Sequence, residues 1–161
     1  MNVLINTYLK TYKKITIKET KLLYPLMELN GFLDKANVKE EDLGNNLEAL
    51  LNMFLIKNPY VNAAAIITTE GLPILSAISH RLDETRIAAM TATLLSLAER
   101  AIGEMERGNF NELFIKGSNG YLILLQAGPH AVLMLSTTLD VQLGLLFFDC
   151  EKICEKIAFL L

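Results

Sequence analysis

The stretch Ile87–Ala98, Ile-Ala-Ala-Met-Thr-Ala-Thr-Leu-Leu-Ser-Leu-Ala, carries no charge, no Gly and no Pro. It lies inside a longer helix signal from Asp83 to about Met105. At a 3.6-residue period, Ile87, Met90, Thr91, Leu94, Leu97, Ala98, Ala101 and Met105 share one face, wide enough to cover a sheet. The opposite face presents Ala88, Ala89, Ala92, Thr93 and Ser96, with Leu95 at its margin, and charges resume only at Glu99 and Arg100. Such an uncharged run spans about 18 Å, short of the roughly 30 Å core of a bilayer. A helix without a charged side is normally buried on both sides. One side is therefore expected on the chain's own sheet and the other on a second protein surface. The alternative is a plain exposed Ala-rich helix, which ordinarily interleaves Lys and Glu along its wet side.

At 161 residues, with 52% hydrophobic and 20% charged side chains, the chain suits one well-filled domain with an extension. The apolar excess again points to a covered surface. Cys150 and Cys154 are the only cysteines. Together with the missing secretory pattern, they lead us to expect a reduced, cytoplasmic setting. In residues 1–21, Lys10, Lys13, Lys14, Lys18 and Lys21 against Glu19 give +4, so of the net −3 the remainder carries −7. That acidic body argues against nucleic acid as a partner.

Residues 1–36 read as a helical extension, and 37–161 as the folded domain. In the extension Leu4, Ile5, Tyr8, Leu9, Tyr12 and Ile15 recur at helical spacing, with Lys10, Lys13 and Lys14 towards the other side. Packing of that stripe on the domain is expected; peripheral contact with a membrane surface is the alternative. A second helix is expected over Thr20–Leu33. From Asn37 the stripe Leu43, Leu47, Leu50, Leu51 and Phe54 marks a helix ending at Asn58-Pro59, its true start near Asn45 because Gly44 is a poor helix former. Strands follow at Val61–Thr68 and Ile74–Ser79, joined by Glu70-Gly71-Leu72-Pro73. After the central helix come Glu112–Lys116, a turn at Asn119-Gly120 read as a positive-φ hairpin, Tyr121–Ala127 as a central strand, and Ala131–Thr137. A last helix runs from about Asp140. Helix, two strands, helix, three strands, helix suggests an antiparallel α+β sandwich.

Three segments resemble the Roadblock (dynein light-chain, Ragulator-like) domain family. They are Ala63–Ile74 with its Gly71-Leu72-Pro73 turn, the Ala/Leu-rich helix ending Ala98-Glu99-Arg100, and Asp140–Leu146 at the start of the last helix. The similarity covers residues 45–161. It implies a five-stranded antiparallel sheet with the central helix on one face and the other two helices on the other. It also implies pairing with a second copy, or with a paralogous subunit, through the central helix and the strand after it. Ala88, Ala89, Ala92, Thr93, Leu95 and Ser96, with Glu112, Phe114 and Lys116, would form that dimer interface. A small GTPase of the Ras type is the implied partner, with Arg86, Glu99, Arg100 and Glu104 as its rim contacts.

Catalytic machinery is not evident. Phosphate-binding glycine motifs are absent, and His80, His130 and the two cysteines lack zinc-ligand spacing. Cys150 and Cys154 read as core thiols, and Ser118 as part of a turn. No cofactor, metal or catalytic residue is expected. The leading expectation is thus a homodimeric adaptor; a small-ligand sensor or a purely structural assembly module is the alternative.

Overall fold

The computed structural model describes residues 40–78 and 82–161. The helices expected within residues 1–36, and His80, lie outside the described residues. Eight elements follow in order: α1 (Glu40–Lys57), β1 (Val61–Thr68), β2 (Pro73–Ala77), α2 (Glu84–Glu104), β3 (Glu112–Lys116), β4 (Tyr121–Gln126), β5 (Ala131–Thr137) and α3 (Leu143–Leu160). The strands form one antiparallel sheet in the order β2-β1-β5-β4-β3.

The alternation of side chains along each strand divides the core into two layers. Ala64, Ile66, Ile123, Leu125, Leu133 and Leu135 point to the face covered by α1 and α3, where Leu47, Leu51, Phe54, Leu146, Ile153 and Ile157 meet them. Ala65, Ile67, Leu124, Val132 and Met134 point to the face covered by α2. Strands buried on both faces read as continuous apolar runs, as β1 and β5 do. β5 occupies the middle of the sheet; β4, expected there, lies one place out, between β5 and β3. Across the outer face Lys57 of α1 pairs with Asp149 of α3, and Asn58 donates to the carbonyl of Phe54 at 3.1 Å, closing the end of α1.

Several boundaries differ from expectation. α1 runs through Gly44 rather than starting at Asn45, and α3 begins at Leu143 rather than near Asp140. The Asn119-Gly120 turn closes the expected β3–β4 hairpin, but neither residue is among the positive-φ positions, so the left-handed conformation expected there is not the reason for it. Gly117 N–H donates to Gly120 C=O at 2.9 Å, and a Cβ on Gly120 would stand 2.0 Å from the carbonyl oxygen of Thr137. Glycine is there for close approach of two backbones, not for a left-handed turn.

Candidate protein-interaction surface

Helix α2 begins where the Asp83 side chain accepts from the Arg86 N–H at 3.2 Å, with Glu84 in the first turn. It ends at Glu104, where the Met105 N–H bonds the Ala101 carbonyl. The side turned to the sheet carries Ala88 (0% exposed), Thr91 and Leu95 (2%), with Ile87, Leu94, Ala98 and Ile102 partly buried around them. Ala88 and Leu95, expected at the dimer interface, therefore belong to the chain's own core. The reverse holds for Met90 and Leu97, expected inward, which are 54% and 65% exposed, and for exposed Met105.

The β1–β2 turn explains this rotation. Gly71, at φ +90°, lies over the first half of α2, and a Cβ there would come 3.0 Å from Ala92 Cβ and 3.4 Å from the Ala88 carbonyl. Only a small side chain fits at 92 beneath so close a turn, whereas Ala88 meets the turn through its carbonyl and packs its methyl in the core. Ala92 thus serves the approach of hairpin to helix and is half-buried by it. The turn is further fixed by Thr68, whose hydroxyl accepts from the Leu72 N–H at 3.1 Å. The Glu70 carboxyl is held below the usual range by its backbone hydrogen bond and by the Thr68 and Thr69 hydroxyls.

What α2 leaves to solvent is a stripe. Ala89, Met90, Thr93, Ser96 and Leu97 form its middle, Arg86 and Glu104 its ends, and Arg100 and Ala101 lie between. The Thr93 hydroxyl is turned back onto the Ala89 carbonyl at 2.8 Å, which lowers the polarity of the centre. Of the expected contact residues, the structure gathers Ala89, Thr93, Ser96, Arg86, Arg100 and Glu104 on one face. Glu99 stands apart, beside Gly108, Phe110 and Pro129. The signal for the wet side lay in Arg86, Arg100 and Glu104, whose spacing puts them on one face.

Strand β3 is an edge of the sheet. Gln126 N–H bonds the Asn111 carbonyl and Gly117 N–H bonds the Gly120 carbonyl, each at 2.9 Å. In the antiparallel ladder bonded pairs alternate. With the register Leu113↔Leu124 and Ile115↔Leu122, residues 113 and 115 bond to β4. Glu112, Phe114 and Lys116 then aim their backbone N–H and C=O groups away from the sheet. The Phe114 ring meets Tyr121 at 4.9 Å and Phe147 at 6.4 Å between centroids, which fixes it over the α3 face.

Elsewhere the side chains considered for chemistry are structural. Cys150 and Cys154 are buried in the α1/α3 layer, and desolvation pushes both thiols up, that of Cys154 to about 12. Ser118 lies in the β3–β4 turn, and His130 in the loop before β5, where its carbonyl accepts from the Thr69 N–H. Among the described residues no group of His, Cys, Asp or Glu is arranged to hold a metal ion, and no helix is long and apolar enough to cross a membrane.

The sequence profile of the Roadblock/LC7 domain matches residues 48–137. Two proteins of Methanocaldococcus jannaschii, MJ1340 and MJ0310, are 27% and 26% identical over 103 residues, 64% of this chain and 90% of each relative. Among solved structures, MglB in a tetrameric arrangement aligns with a TM-score of 0.68 at 17% identity, over 79% of this chain and 96% of that one. The gliding protein MglB of Thermus thermophilus aligns at 0.67 and 17%, over the same shares. The Roadblock/LC7 domain of Streptomyces avermitilis gives 0.62 at 18%, over 68% and 92%. These structures share the fold.

Proposed function

Because this chain belongs to the Roadblock/LC7 domain family, we propose that it works as a homodimeric adaptor that binds and regulates a Ras-like small GTPase. Domains of this family are adaptors or regulators rather than enzymes.

The observation that carries the dimer is the order of side chains on the α2 stripe. Arg86 and Glu104, Met90 and Arg100, and Thr93 and Leu97 are each equidistant from Leu95. In an antiparallel pair with a second copy about that midpoint, each Arg86 would oppose a Glu104, and Leu97 would cover Thr93. A self-complementary patch of this kind suits an isologous interface. β3 repeats the arrangement. Glu112 and Lys116 flank Phe114, so antiparallel pairing centred on Phe114 would set unlike charges opposite each other and satisfy the outward backbone groups. The tetrameric arrangement described for the similar MglB is consistent with such assembly.

Regulation would follow from the rigid helix pair favouring one nucleotide state of the GTPase, since only a difference in affinity shifts that equilibrium. With Arg86 and Glu104 engaged across the pair and Arg100 lying against Met90, Glu99, which stands off the stripe, is left as a contact for the GTPase. The test is retrieval from native lysate with GDP and with a non-hydrolysable GTP analogue, read by mass spectrometry, beside sedimentation of the purified chain. A dimer that retrieves a small GTPase in one nucleotide state is the expected result. A monomer, or a dimer that retrieves no GTPase in either state, would overturn the reading.

A further inference from the structure

An open groove of about 800 Å³ runs between the C-terminal half of α3 and strands β3 and β4. Leu125, Cys154 and Ala158 give it apolar lining, while Glu112, Glu151 and Glu155 line it with carboxylates and no Lys or Arg does. Glu151 and Glu155 are exposed and one turn apart on α3, a like-charge pair that repels along the helix. Among the described residues neither makes a salt bridge. Lys152, three residues before Glu155, is drawn instead over the Phe148 ring, 3.9 Å from its centroid. The Glu112 charge reaches α3, where it helps push up the Cys150 thiol. In the same wall Gln126 has its Nε2 committed to the Gly128 carbonyl, and its Oε1 is buried without a donor. That Oε1 is closed off from the groove, which itself offers uncompensated negative charge and calls for a cationic occupant.

We infer that the occupant is the chain's own Lys-rich segment, residues 1–21, seated with its lysines on Glu151 and Glu155. That segment carries +4 against a body of −7. Lys10 and Lys14 repeat the four-residue spacing of Glu151 and Glu155, so two ion pairs can form in register. Reach does not limit the contact. Even with the helix expected over Thr20–Leu33, the stretch from Lys21 to Glu40 is long enough to span about 40 Å, against a radius of gyration of about 14 Å for a domain of this size. Tethering supplies the segment at an effective concentration in the millimolar range. Glu151 and Glu155 lie on α3, away from the exposed stripe of α2, so seating on them is separable from pairing through that stripe; Glu112 alone is shared with the proposed β3 pairing.

Carbodiimide coupling of the full-length chain, at a salt concentration near 50 mM, reads the contact directly by joining touching amines and carboxylates. Amide cross-links from Lys10, Lys13 or Lys14 to Glu151 or Glu155 are expected. In an equal mixture of ¹⁴N- and ¹⁵N-labelled protein they should join chains of one label only. The single variants Glu151→Gln and Glu155→Gln should each lower the yield several-fold with an unchanged circular dichroism spectrum, and Lys10→Gln/Lys14→Gln should do the same. Coupling of these lysines to other carboxylates, coupling between labels, or no coupling at all would overturn the assignment. So would binding to phosphatidylserine vesicles that is equally strong in the parent and in Glu151→Gln/Glu155→Gln, since a seated segment must first be released to meet a membrane.

Discussion

A side-chain carbon added at Gly71 would fall 3.0 Å from the Cβ of Ala92, so the first hairpin is seated on the central helix by two residues chosen for their smallness. Gly71→Ala meets two costs, a left-handed φ of +90° and that contact. The expected loss is about 1–2 kcal/mol, seen as a drop of several degrees in Tm. Gly103→Ala, in the same helix family of contacts but with open space around the new carbon, should instead raise stability by up to about 1 kcal/mol. Equal shifts in the two variants would remove the turn from this account.

Leu97 is exposed on the proposed pairing stripe, so Leu97→Glu should leave the fold unchanged while weakening dimerisation at least tenfold, which sedimentation equilibrium would report. Ala92→Glu is a poorer probe because Ala92 is packed beneath Gly71. The register has its own test. Arg86→Glu should weaken the dimer modestly, by about 0.2–1 kcal/mol per pair, and Glu104→Arg added to it should restore the loss. Additive losses in the double variant would rule out the antiparallel pairing about Leu95.

On β3 the expectation depends on which residue is changed. Lys116 aims its N–H away from the sheet, so Lys116→Pro should keep the monomer folded and block strand pairing. Ile115 bonds to β4, so Ile115→Pro should unfold or strongly destabilise the monomer, by about 3 kcal/mol or more. Far-UV circular dichroism with size-exclusion chromatography separates the two. Identical behaviour of both variants would mean that the ladder parity is otherwise.

Burial of Cys150 and Cys154 ties stability to alkaline pH. A thiol whose pKa is raised on folding stabilises fully below its unfolded value near 8.5, and that contribution is lost as pH climbs towards the folded value, about 12 for Cys154. Unfolding free energy should fall above pH 8.5 by up to about 1.4 kcal/mol per pH unit for each thiol. The slope should lessen in Cys154→Ala, which will itself be less stable at neutral pH. In the native chain both thiols should resist a thiol reagent at pH 8 that modifies the unfolded chain promptly. Prompt labelling of the folded protein would contradict the buried placement.

Local chemistry was plain in the sequence wherever one residue decides one bond. Asp83 as the start of α2, Gly71 in the first turn and the alternating apolar strands all follow from side-chain preference. The central place of β5 does not, because strand order is fixed by pairing between residues far apart in the chain. The inward face of α2 is hidden in the sequence for a related reason. Alanines occur on both sides of that helix, and only the overlying Gly71 turn tells which are held inward. At Asn119-Gly120 the turn was legible but its cause was not, since the constraint is the Thr137 carbonyl on another strand. The groove beside α3 gave no sign at all, being assembled from β3, β4 and α3 together.

The central position of β5 carries a kinetic consequence. β1 with β2, and β3 through β5, are each stitched from neighbouring segments, whereas β1 joins β5 across the whole intervening helix and meander. Closing that one seam requires the longest loop, so the chain should acquire two hairpin-built halves early and unite them late. While the seam is open, β1 of one molecule and β5 of another expose matching edges. Refolding at high concentration therefore invites exchange of halves between chains, and dilution should favour closure within one.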